Sequence, residues 1–154
     1  MTRRNIVLGA ALAAILLTAA CGCDALVSPE RQMLRFLKNL QVQLNNSQWD
    51  RAAKYCTRDC EYYPLDAKAA APIAAFFKSM ETMKLRLMFV VHVEKTTRVN
   101  DQKYVLQVRF QQRTGDMTYT QNYYWNGTMI WVKVGEEWRL KELKETSPRE
   151  QFRS

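Results

Sequence analysis

Four cysteines, a single histidine and fifteen carboxylates carry most of the reactive chemistry open to this 154-residue chain. Cys21 and Cys23 lie two apart near its start, Cys56 and Cys60 four apart further on, and His92 stands alone among alternating apolar residues. A serine or cysteine nucleophile needs a base in reach, and His92, out of phase with Leu87, Phe89 and Val91, is not placed to be one. Two thiols and one distant imidazole also fall short of the four ligands of a zinc site, so no metal is expected. There is no glycine-rich phosphate loop and no dinucleotide fingerprint, and hence no cofactor expectation. What remains for Cys56 and Cys60 outside a reducing compartment is a disulfide, if the backbone brings their Cα atoms within about 7 Å. Its role would be to fix a local corner, because so small a loop gains little from closure.

The elements that must position any site begin with an export segment. Arg3 and Arg4 make a positive start, and residues 6–20 follow as an uncharged apolar run. That run is 15 residues long, short of the roughly 20 that a membrane-crossing helix needs, so cleavage is expected rather than a permanent span. The ending Leu17-Thr18-Ala19-Ala20-Cys21 resembles the lipobox of bacterial lipoproteins. That resemblance implies a diacylglycerol on Cys21 and a cell-envelope location on the periplasmic side. Cys23 is the alternative anchor, and an ordinary secretory cut after Ala20 that leaves Cys21 free is the other reading. Gly22 after Cys21 implies export to an outer membrane, whereas Asp24 after Cys23 implies retention at the inner one. The organisation expected is a signal peptide (1–20), a lipidated tether (21–27), one domain (28–147) and a charged tail (148–154).

The whole chain carries a net charge of +8; without Arg3 and Arg4, 21 basic residues face 15 acidic ones, leaving +6. Lysine and arginine are scattered among acids, as in Lys141, Glu142, Lys144 and Glu145, without the aromatic interleaving of a nucleic-acid groove. No nucleic-acid partner is expected. A basic surface beside anionic lipid fits the composition better.

Along the domain, Ser28-Pro29-Glu30 reads as a helix start, with a hydroxyl cap, a proline at the first helical position and an early acid. Met33, Phe36, Leu37, Leu40 and Leu44 then recur at helical spacing to about Asn45. Ser47-Gln48-Trp49-Asp50 has the shape of a capping box and predicts a short helix through Tyr55. A brief strand follows over Cys60 to Tyr63, and Pro72 opens a third helix with Ile73, Phe76, Phe77 and Met80 inward.

From Leu85 to Thr146 the period changes to two, which predicts antiparallel strands. Leu85, Leu87, Phe89, Val91 and Val93 share one face, and Met88, Val90, His92 and Glu94 the other. Tyr104, Leu106, Val108 and Phe110 oppose Gln107, Arg109, Gln111 and Arg113 in the next strand. In the third, Tyr119, Tyr123 and Trp125 are in phase, but beyond Asn126-Gly127 the apolar set is Ile130, Val132 and Val134. A β-bulge at Asn126-Gly127 inside one long strand is the favoured cause, with a tight hairpin as the alternative. Trp138 and Leu140 mark a last inward-facing strand.

This order, together with Trp49-Asp50-x-Ala52-Ala53, Asp59-Cys60-Glu61-Tyr62, Pro72-Ile73-Ala74-Ala75-Phe76-Phe77 and Glu137-Trp138-Arg139-Leu140, resembles the nuclear transport factor 2-like (SnoaL-like, cystatin-like α+β) superfamily over residues 28–147. The resemblance implies an α+β fold of three N-terminal helices packed in a strongly curved antiparallel sheet, a cone with a pocket at its open end. Trp49, Tyr55, Tyr62, Phe77, Tyr104, Phe110, Tyr119, Tyr123 and Trp125 are the candidate wall; core filling is the favoured reading of any one of them, and together they leave room for a small apolar ligand. If the cone is catalytic, as in isomerases and dehydratases of this superfamily, Asp59 as base and Tyr62 as donor near its mouth are the candidates, since no Asp, Glu or His falls in an inward phase of the long strands. The convex face carries Met88, Val90, Tyr124, Met129 and Trp131, a composition suited to a homodimer or an envelope partner. A non-enzymatic, membrane-anchored binding protein is the expectation, with an isomerase or dehydratase second.

Overall fold

Ser28 accepts a hydrogen bond from the Arg31 amide at 3.3 Å, and the Pro29 ring presets the first turn of helix α1 (Pro29–Asn45), so this helix starts where the cap and the proline dictate. The computed structural model describes residues 27–66, 68–83, 86–115 and 120–152. Cys21, Cys23 and Tyr119 lie outside the described residues. No described helix is long and apolar enough to cross a membrane.

From Met33 onward α1 buries Met33, Leu37, Leu40 and Leu44 in one stripe, each worth about 1.5–3 kcal/mol of transfer free energy. The helix ends with Ser47 in the left-handed region (φ 53°), its amide bonded to the Leu44 carbonyl at 3.0 Å and the Gln48 amide to that of Gln43 at 2.9 Å. These are the paired bonds of a Schellman ending. Ser47 therefore closes α1 instead of capping α2 (Trp49–Ala53), whose N-cap is Gln48 without a side-chain bond.

The remaining elements are β1 (Cys56–Tyr63), β2 (Ala71–Pro72), α3 (Ile73–Met83), β3 (Arg86–Asn100), β4 (Lys103–Gly115), β5 (Thr120–Val134), β6 (Glu137–Glu145) and β7 (Glu150–Phe152). They form one sheet in the order β2-β1-β6-β5-β4-β3, with β7 paired to β5. The four long strands are antiparallel neighbours, but β1 runs parallel to β6. The sheet is thus mixed, where the resemblance had implied an antiparallel one: the strands from β3 to β6, which the alternation predicted, are antiparallel, and the parallel pairing comes from β1. The stretch 148–154, expected to be a charged tail, contributes β7, which takes the edge of β5 at Asn122 to Tyr124 beyond the part paired with β6.

The far edge, β3, is covered by side chains of α1. Asn45 accepts from the Phe89 amide at 2.6 Å and donates to its carbonyl at 3.0 Å, and Gln41 accepts from the Val91 amide at 3.0 Å. At Phe89 and Val91 an amide side chain does what a neighbouring strand would do and covers that part of the edge.

Strand β5 is the one long strand expected, but without its bulge. Its register with β4 runs unbroken from Gly115↔Thr120 to Lys103↔Val132, so there is neither a bulge nor a hairpin at Asn126-Gly127. Trp125, Gly127, Met129 and Trp131 all face the core, while Ile130 and Val132 are half-buried on the other face and Val134 is exposed. Met129 and Trp131, expected on the convex face, are 2% and 0% exposed. Gly127 is an inward position emptied for its neighbours: a Cβ there would stand 2.6 Å from Cε2 of Phe110 and 2.7 Å from the Lys144 carbonyl oxygen. Gly127→Ala should therefore destabilise by about 1–3 kcal/mol, as overpacking does, and thermal unfolding checks it. The carbonyl oxygen is backbone and cannot swing aside. The break in the β5 and β6 pairing lies instead between Ile130 and Trp131, which pair with Glu142 and Leu140 and leave Lys141 as the extra residue.

Candidate functional site

Strand β1 sorts its own chemistry by alternation. Cys60 and Tyr62 point into the core and Asp59 points out. Asp59, expected as a base beside Tyr62, is paired with Lys141 at the surface, and that hydrogen bond holds its carboxyl below the ordinary value. The expected pair is not a pair, because residues three apart on a strand face opposite sides.

Cys56 and Cys60, expected as a disulfide, are free thiols, both buried. The pairing of β1 with β6 is irregular between Cys56 and Glu61, and both thiols turn toward the core, where the Cys56 hydrogen bond and then burial push the Cys60 thiol up. Cys56 also lies 3.9 Å from the Ala52 carbonyl oxygen.

Tyr62 meets residues the sequence had not offered. Its hydroxyl donates to Glu145 Oε1 and accepts from Arg149 at 2.7 Å. Glu145 is 5% exposed, and Arg149 bonds it twice, through Nε at 3.1 Å and through a terminal nitrogen. The second carboxylate oxygen accepts from the Leu65 amide at 3.4 Å. The Arg149 guanidinium also lies 4.5 Å over the Trp125 ring, a cation over an aromatic face. An inward carboxylate thus exists, contrary to the expectation that no acid falls in an inward phase. The extra residue at Lys141 shifts the phase of β6, so that Glu145 follows Leu143 inward. The i, i+4 spacing of Glu145 and Arg149 was the signal available, and it was masked by reading 148–154 as tail.

Burial, and then the bond to Glu145, raise the Tyr62 phenol well above the ordinary 10. The unfolded chain therefore gives up this proton first as pH rises, so stability is full below about pH 10 and is lost above it. An alkaline titration followed by tyrosinate absorbance should show one tyrosine that ionises only with unfolding, and Tyr62→Phe should abolish that coupled step. Arg149 is held above its usual value: burial lowers it, but Glu145 and Tyr62 outweigh that.

The expected aromatic wall is mostly packed core. Trp49, Tyr62, Phe77, Tyr104, Phe110 and Trp125 are buried, and Tyr55 and Tyr123 half-buried. Phe110 stacks on Trp125 with ring centres 5.1 Å apart, and Phe89 fills the angle between them. Between α1, α3 and the sheet a fully apolar void of about 30 Å³ remains, bordered by Leu37, Leu44, Phe77, Phe89, Met129 and Leu140. That is room for about one water, whereas a small-molecule site runs to roughly 300–1,000 Å³. Of the expected wall, Phe77 borders this void.

On the opposite face, Met88 is exposed, Val90 and Tyr124 are half-buried, and His92 is exposed beside Arg109. Val90, Gln111 and Tyr124 stand in one row across three strands, and Thr97, Val105 and Ile130 in another. Among the described residues no three His, Cys, Asp or Glu side chains converge as metal ligands.

The chain superposes on a putative scytalone dehydratase from Novosphingobium aromaticivorans with a TM-score of 0.66, at 16% identity over 81% of this chain and 88% of that one. It superposes on a nuclear transport factor 2-like protein of unknown function in nutrient uptake from Rhodospirillum rubrum with a TM-score of 0.65, at 11% identity over 75% and 98%. The fold is nuclear transport factor 2-like. A ketosteroid isomerase-like protein from Erwinia carotovora atroseptica is similar in the same way, with a TM-score of 0.62 at 9% identity over 76% and 95%. No protein-family model matches the chain, and no curated protein matches its sequence. At such identities a nuclear transport factor 2-like fold fixes topology and not activity.

Proposed function

We propose that this chain is a membrane-anchored envelope lipoprotein, tethered through Cys21 with Cys23 as the alternative, that works as a binding module through the outer face of its sheet and not as a catalyst. One observation carries the non-catalytic part. The inward carboxylate, Glu145, has both oxygens engaged and its charge matched by Arg149. A general base must be able to take a proton from a ligand, and this one is committed to holding the sheet together.

The outer face supplies the binding surface. Met129 and Trp131 leave it, but Val105, Ile130 and Val132 form one apolar group there and Val90 and Tyr124 another, with Gln107 and Arg109 between them. Apolar groups on either side of a polar, charged band suit a second copy of the chain. Light scattering of the mature chain in mild detergent should give a dimer, and Ile130→Glu a folded monomer. A monomer in the unsubstituted protein at high concentration would refute the dimer.

A lyase or isomerase is the second reading, favoured by the Tyr62 to Glu145 bond on the inner face and by structural neighbours called a putative scytalone dehydratase and a ketosteroid isomerase-like protein. Proton exchange or water loss from small hydroxyketones that is abolished by Glu145→Gln would establish it.

A further inference from the structure

Away from the inner face, a surface groove of about 510 Å³ lies between α1, α2 and the start of β6. Its volume is that of a small-molecule site. Phe36 and Tyr55 meet edge to face there, ring centres 6.2 Å apart. Arg51, Lys54 and Arg139 bring three positive charges to it, against one carboxylate, Glu137. That carboxylate is already paired with Arg139, whose other terminal nitrogen donates to the Lys54 carbonyl. The Arg139 fork is thus fixed in place, and two positive charges are left over.

The amides of Asn39 and Gln43 complete the lining.

We propose that this groove binds a phosphomonoester. A phosphomonoester carries about −1.5 to −2 charge at neutral pH, which matches the surplus of two. The Arg51 guanidinium and the Lys54 ammonium, which no carboxylate of the groove neutralises, suit its oxygens, and the Phe36 and Tyr55 rings take the carbon skeleton. The group can come from a lipid headgroup such as phosphatidate or from a soluble sugar or glycerol phosphate. The site is independent of the anchor and of the outer-face reading, since none of its residues belongs to either.

Calorimetry with glycerol 3-phosphate and co-sedimentation with phosphatidate vesicles, both on the full chain in detergent or nanodiscs, test it. Saturable one-to-one binding to either probe is expected, weakened at least tenfold by the double variant Arg51→Gln, Lys54→Gln. The paired control Lys38→Gln, Lys78→Gln removes the same charge elsewhere and should change binding less than twofold. Response to glycerol 3-phosphate identifies a soluble source, and response to phosphatidate above phosphatidylglycerol at equal charge a lipid one. Binding to neither probe, or equal weakening by the control pair, overturns the proposal.

Discussion

Replacing Trp131 with glutamate should leave the chain unfolded. Trp131 is wholly buried on β5, opposite Tyr104 on β4 and Leu140 on β6. Truncating a buried tryptophan costs about 3–5 kcal/mol, and a carboxylate in that space adds the expense of an unpaired buried charge. A domain whose whole stability is about 5–15 kcal/mol does not survive the sum. Circular dichroism of Trp131→Glu should show loss of the folded state at 25 °C. Ile130→Glu, one residue away and half-buried on the outer face, should fold. Trp131→Phe should fold as well, since the indole nitrogen has no partner to lose. A folded Trp131→Glu protein that had merely stopped associating would mean that β5 presents its odd residues outward and that the register is wrong.

The second large effect is expected at Arg149. Arg149→Ala strands the Glu145 carboxylate, which keeps only Tyr62 and the Leu65 amide. Breaking a buried ion pair from one side costs about 3–5 kcal/mol. Arg149 is itself one-third exposed, so water reaches part of the gap and the lower end, about 3 kcal/mol, applies. A fall in Tm of roughly 10 °C follows for a domain of this size. Adding Glu145→Gln to Arg149→Ala should recover part of that loss, because the stranded charge goes with it, and the double-mutant cycle measures the coupling. Cutting the chain before Arg149 should cost more than Arg149→Ala, since β7 and its bonds to β5 are lost too.

Much of the fold was legible because it rests on local periodicity. Met33, Leu37, Leu40 and Leu44 of α1, the inward set Tyr104, Leu106, Val108 and Phe110, and the inward Trp138 and Leu140 are all buried as their spacing requires, while Phe36 of the expected α1 stripe is half-buried. The misreadings along β5 share one cause. Gly127 was taken as a signal of bend or turn, whereas its missing side chain makes room for Phe110 and the Lys144 carbonyl. Glycine marks both situations in a strand, and sequence alone does not separate them. From that one residue the phase of 128–134 slipped, sending Met129 and Trp131 outward and Ile130, Val132 and Val134 inward.

The buried cluster was hidden by a second phase shift, the extra residue at Lys141, which depends on pairing and leaves no mark in the order of residue types. Asp59 attracted attention because it sits beside Tyr62 in sequence, but a strand separates neighbours and joins residues 83 apart, as with Tyr62 and Glu145. Position in the fold, and not residue type, decides which carboxylate is the inward one.

The proposed anchor ties this domain to a bilayer, and the mass of its N-terminal peptide tests that most directly. The chain should be extracted from envelope membranes with mild detergent, digested and analysed by mass spectrometry. A peptide that begins at Cys21 and carries a diacylglyceryl group on its sulfur is the expected result. A peptide that begins at Cys21 with a free thiol, or a chain that stays in the aqueous fraction, would contradict it.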